Sequence, residues 1–244
     1  MNSEPPLIHP TTGQINVARL TAEITAIRDR LIDEKAKLQS EHPNWKIATD
    51  IRLTCFSKFE NVLSSFQLGC VFWDMNLLSD EWWDKVTDYP KVDRALLRRE
   101  FQLFLKLGLV HLSFSAVESS LRIMMRALDS TAHAGASVEF RRINSDFFEQ
   151  RLSKPMPYHI ELLDMAAKLR NTVHNNGVYF HKSGKDAIQN YKGRTYVFKY
   201  GQPIDFGNWP LLLEITSDLV SMLVEVVRDP KIKNIPGTIV DPGS

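Results

Sequence analysis

Leu169-Arg170-Asn171-Thr172-Val173-His174-Asn175-Asn176-Gly177 joins a permanent cation, a titratable base and a helix terminus in one short stretch. Reading back from Asn176, an apolar stripe passes through Leu162, Ala166, Leu169 and Val173 at spacings of three and four, which predicts an amphipathic helix over 158–175. A neighbouring line begins apolar at Leu163 and Ala167 and ends charged at Arg170 and His174. Asp164, Lys168, Asn171 and Asn175 form a polar line expected to face water. Arg170 and His174 are one turn apart, so they share one face on the shoulder of the core. Asn176 and Gly177 tolerate positive φ and provide the expected stop.

Arginine grips phosphate with two parallel donors, and imidazole titrates near neutrality. Cutting RNA without a metal requires a base for the 2′-hydroxyl proton, a cation for the phosphorane and an acid for the leaving 5′-oxygen. One Arg and one His supply half of that set, and a homodimer would supply the rest. The plain alternative is a helix-end cap, worth about 0.3–1 kcal/mol through the macrodipole. Asn171 is either a phosphate contact across a dimer or an ordinary surface residue. Glu118 and Arg122 are spaced i, i+4, either as an internal ion pair or with Glu118 orienting Arg170 or His174.

Outward from this stretch the pattern stays helical. Val17, Leu20, Ile24, Ile27 and Leu31 predict a helix over 16–40, and Ile51, Cys55, Phe59, Val62, Phe66 and Cys70 predict another over 48–76. Trp73, Trp82 and Trp83 read as the seal of a helix junction or, less commonly, as a partner-binding surface. Segment 92–130 reads as one long helix or a pair kinked near Gly108, with small residues around Ser113 and Ser120 that let a neighbour approach. A further helix over 137–152 would point Val138, Ile143 and Phe147 inward. Two strands, 178–182 and 195–200, would form a hairpin before a last helix over 209–227, capped by Asn208 with Pro210 in its first turn. Lys182, Lys185, Lys192, Arg194 and Lys199 stand beside aromatic residues on this hairpin. That combination suits single-stranded RNA, although a solvated hairpin with its aromatic face on the core is the more ordinary reading.

At 244 residues, 43% hydrophobic and 24% charged, the chain has the composition of a soluble globular protein. A net charge of +1 means that any nucleic-acid surface is a local patch. Cys55 and Cys70 fit no zinc spacing and read as buried apolar residues. The apolar run 101–117 is interrupted by Lys106 and His111, so it reads as a core helix and no membrane association is expected. A cytoplasmic location follows, since 1–12 lacks a signal pattern. Phosphate-loop, dinucleotide and nucleophile-elbow motifs are missing. His159-Ile160-Glu161 starts like a zinc deaminase, but no cysteine follows; neither metal nor other cofactor is expected.

Arg170-Asn171 with His174 resembles the signature of the HEPN superfamily, and the run from Ser115 through Glu118 to Arg122 is similar to its first long core helix. The likeness spans 92–228, with a gap between Arg and His, three residues, shorter than the usual one. It implies an all-α helical bundle, here with a small β-hairpin before the last core helix, dimeric through the motif face. It also implies a metal-independent endoribonuclease of toxin–antitoxin, phage-defence or RNA-processing type, held in check by a regulatory partner protein. Arg170, His174, Asn171 and Glu118 would form its catalytic site. The alternative is a catalytically inactive HEPN-like module for interaction or nucleotide sensing. The expected layout is a flexible tail over 1–15, a helical extension over 16–90, the core over 91–229 with hairpin 178–200, and an extended tail over 230–244.

Overall fold

The computed structural model describes residues 6–8, 15–131, 140–173 and 175–243. Its helices are α1 (Val17–Glu41), α2 (Ile51–Phe72), α3 (Asp80–Val86), α4 (Lys91–Leu128), α5 (Phe140–Asp146), α6 (Pro157–Val173), α7 (Trp209–Arg228) and α8 (Pro230–Lys233). Strands β1 (Ala187–Tyr191) and β2 (Arg194–Phe198) lie between α6 and α7, and π-helical turns extend α2 over Trp73–Leu77 and α5 over Phe147–Arg151. The chain is therefore mostly helical with one small antiparallel sheet.

Local chemistry sets the helix starts. The side chains of Asn16, Asp50, Ser79 and Asn208 each accept a backbone N–H from the first turn that follows. Each such cap contributes about 1 kcal/mol. Val17, Leu20, Ile24, Ile27 and Leu31 are all buried. On α2 the stripe holds except that Leu63 takes the buried position and Val62 is half-buried.

α1 packs on α2, α2 on α4, and α7 touches α1, α4 and α6, so one continuous apolar cluster joins 16–90 to 91–229. α4 runs unbroken through Gly108. The tight approach of α2 to α4 falls instead at Gly69, where a Cβ would stand 2.6 Å from Leu105 Cδ2. Ser113 and Ser120 are buried on α4, and Trp83 seals the α3 junction by donating Nε1–H to the Leu77 carbonyl at 2.9 Å. Ile143 and Phe147 point inward as expected; Val138 lies outside the described residues. Both cysteines are free and buried, and burial raises the Cys70 thiol to about 12.

Two expectations need correction. The first strand lies at Ala187–Tyr191, not over 178–182, because Lys192 (φ 50°) and Gly193 (φ 71°) form the hairpin's two-residue turn. Positive φ at both central positions matches the right-handed twist of the flanking strands. The segment 230–244 is not simply extended: it opens with α8 and is then tied to α2. There the Ile51 N–H donates to the Ile239 carbonyl at 2.9 Å, and Thr54 and Lys58 donate to the buried Asp241. Among the described residues no helix is long and apolar enough to cross a membrane.

Candidate anion-binding groove

The stop of α6 is built by the backbone. Asn176 (φ 53°) and Gly177 (φ 83°) turn left-handed, and the Gly177 N–H donates to the Thr172 carbonyl at 2.9 Å. This six-residue closure satisfies the Thr172 carbonyl, and Asn175 Nδ2 donates to that of Asn171, without a cationic side chain. Arg170 is therefore released from capping. Its Nη1 donates to Glu118 Oε2 and its Nη2 to Asn171 Oδ1, each at 3.3 Å, and the guanidinium carbon lies 4.5 Å from the centre of the Phe114 ring. Its Nε is buried without a hydrogen-bond partner among the described residues.

Glu118 joins two cations, because Arg122 donates to its Oε1 through Nε at 3.1 Å and Nη2 at 2.7 Å. Phe114, Glu118 and Arg122 are one turn apart along α4, so a single ridge meets α6. Glu118 therefore contacts both Arg122 and Arg170.

These side chains form one wall of a groove of about 740 Å³ between α4, α5, α6 and the segment 179–189. Of the line expected to face water, Asp164, Lys168 and Asn171 belong to it, whereas Asn175 is exposed as expected. Asp164 stands 3.3 Å from Arg141 Nε, Lys168 donates to Gln189 Oε1 at 2.6 Å, and Asn171 contacts Arg170. The line turns toward β1 because the hairpin folds over it, with Gln189 also donating to the Glu161 carbonyl. Burial lowers the pKa of the Lys168 ammonium, with Asp164 opposing and Arg141 reinforcing the shift. Six basic side chains line the groove (Arg122, Arg141, Lys168, Arg170, Lys182 and Lys185) against three carboxylates, Glu118, Asp164 and Asp186. The excess of basic over acidic side chains gives the groove a local potential that favours anions.

The five hairpin cations separate. Lys182 and Lys185 line the groove, whereas Lys192 bonds Asp218 at 2.7 Å and Arg194 bonds Glu214, both on α7. Lys199 is exposed and is not among the groove residues. His174 lies outside the described residues.

Several groove residues carried no signal in the spacing of the motif. His181 lines the groove with its Nδ1 accepting from the Ser183 N–H at 3.2 Å, and Ser183 Oγ lies 2.7 Å from the same nitrogen. Those contacts fix the ring and leave Nε2 as its other polar atom. Phe180 is exposed against the edge of Tyr200, and the Asn144 Oδ1 is buried in the groove without a partner among the described residues. Segment 179–189 places His181 and Phe180 in the same groove as Arg170 and Asn171. Compared with protein-family models, curated proteins and solved structures, the chain matches none.

Proposed function

We propose that the groove holds RNA phosphates and that the chain is a metal-independent endoribonuclease of HEPN type, acting as a homodimer. Arg170 carries this reading: a cation set over Phe114 on the wall of a positively charged groove, with Asn171 bonded beside it. In this scheme Arg170 offsets charge on the phosphorane. His174, four residues further along the sequence, takes the 2′-hydroxyl proton. His181, whose Nδ1 accepts from the Ser183 N–H, offers its Nε2–H to a phosphate oxygen, and a second copy of His174 across the dimer protonates the leaving 5′-oxygen.

The test is cleavage of single-stranded RNA in EDTA by the full chain and by Arg170→Ala, His174→Ala and His181→Gln. Each substitution is expected to slow cleavage by about 10²-fold or more. Equal residual cleavage in all four preparations would mark a contaminant and end the proposal.

A second reading is a catalytically inactive nucleotide-sensing module. Glu118 already neutralises part of Arg170, and about 740 Å³ falls within the roughly 300–1,000 Å³ of small-molecule sites. Thermal stabilisation by nucleotides in the absence of any RNA cleavage would favour it.

A further inference from the structure

A second cleft, of about 260 Å³, opens where the start of α6, the turn of the hairpin and the middle of α7 meet. It shares no lining residue with the groove. Its charges have the opposite balance: Glu161, Asp218 and Glu225 against Lys192 alone. Asp218 is compensated, since Tyr191 donates to its Oδ2 at 2.5 Å and Lys192 to its Oδ1 at 2.9 Å. Glu225 accepts the Tyr158 hydroxyl, faces His159 Nε2 and has no Lys or Arg partner among the described residues; neither does Glu161.

Beneath them sits His159, 2% exposed and held between the rings of Phe148 and Tyr158 at 5.2 and 4.0 Å. Neither ring nitrogen has a hydrogen-bond partner among the described residues, although Nε2 comes within 3.3 Å of Glu225 Oε2. Burial lowers the His159 pKa, with Glu225 opposing, so the neutral ring offers one donor and one acceptor. Native proteins retain few buried polar groups in this condition, so an imidazole without a partner in a cleft calls for an explanation.

We propose that this cleft binds a small organic amine, its ammonium held by Glu225 and Glu161 and its apolar body by Leu162 and the rings of Tyr158 and Tyr191. Carboxylates draw the cation, and tyrosine faces add cation–π attraction to a desolvated ammonium. The third ammonium N–H points to the acceptor nitrogen of His159. Tyr158, 53% exposed, forms the outer wall of the cleft beside the imidazole. The volume lies below that of drug-sized sites, roughly 300–1,000 Å³, which limits the guest to one ring or a short chain.

The test is calorimetric titration of the full chain at neutral pH with benzylamine and with benzyl alcohol, which has the same shape without the charge. Benzylamine is expected to bind saturably at one site, with the Tyr158 and His159 ring signals shifting in NMR spectra, while the alcohol does not bind. Glu225→Gln, at a half-exposed position that tolerates the change, weakens benzylamine roughly tenfold or more. Arg170→Ala binds it unchanged, so the outcome is independent of the RNA reading. No saturable binding, equal binding of the alcohol, or unaltered affinity in both Glu225→Gln and Glu161→Gln overturns the proposal.

Discussion

Arg170 on α6 and Glu118 on α4 meet at 3.3 Å, and the other oxygen of the same carboxylate holds Arg122. One acidic side chain thus sets the position of two groove cations while cancelling part of their charge. Glu118→Gln keeps the shape and removes the charge. Oligonucleotide binding is expected to tighten by about 0.5–1 kcal/mol, or roughly two- to fivefold at low salt. Cleavage per bound RNA is expected to fall, because Arg170 loses its anchor. Tighter binding with undiminished turnover would show that Glu118 does not position Arg170.

The hairpin cations offer an internal control. Lys182→Ala with Lys185→Ala alters the groove, while Lys192→Ala with Arg194→Ala breaks ion pairs to α7. For single-stranded RNA each lost phosphate contact flattens the dependence of log affinity on log salt by about 0.7. The first pair is therefore expected to lower the slope by roughly 1.4 and the second to leave it nearly unchanged. Equal slopes for both variants would place RNA outside the groove.

Stability should depend on pH through His159. Its ordinary pKa is 6.5, and burial lowers it in the fold against the opposing pull of Glu225 and Asp218. Below 6.5 the unfolded chain binds a proton that the folded chain resists, so stability is complete above that pH and declines as pH falls toward the folded value. Urea midpoints between neutrality and about pH 5 should fall less steeply in His159→Gln than in the parent. Parallel profiles would remove His159 as the source.

A buried ion pair anchors the C-terminal segment. Arg52 bonds Asp50 through Nε at 2.9 Å and Nη2 at 2.7 Å, donates to the carbonyls of Lys233, Ile235 and Gly237, and lies 4.4 Å from the centre of the Trp45 ring. Arg52→Met leaves the Asp50 carboxylate buried without its cation, at a cost of about 3–5 kcal/mol. Adding Asp50→Asn should restore part of that loss in urea unfolding. A single variant as stable as the parent would show the anchor to be dispensable.

Where an element depends on neighbours within one turn, the amino-acid pattern was legible. Leu20, Ile24 and Leu31 recur on one face of α1, Asn208 caps α7, and Asn176-Gly177 ends α6 through positive φ. The first hairpin strand was not, because Val178 and Phe180 have strand-like side chains but the turn at Lys192-Gly193 sets the register from the other end. Lys168 and Asn171 appeared solvent-facing for a related reason: a helix wheel carries no trace of the hairpin that later covers that line.

Periodicity and end-capping are short-range properties, so the chain alone defined the helices, the helix stop beside Arg170 and the likeness carried by Arg170, Asn171 and His174. The groove is long-range. Glu118 reaches Arg170 across 52 residues, Arg52 reaches the C-terminal segment across 181 or more, and His181 joins the motif through a fold-back of the chain. Hydrogen bonds and charges at such separations exist only once burial of the shared core has brought the helices together. That packing turned a one-turn motif into the wall of a charged groove and set a second, acidic cleft beside it.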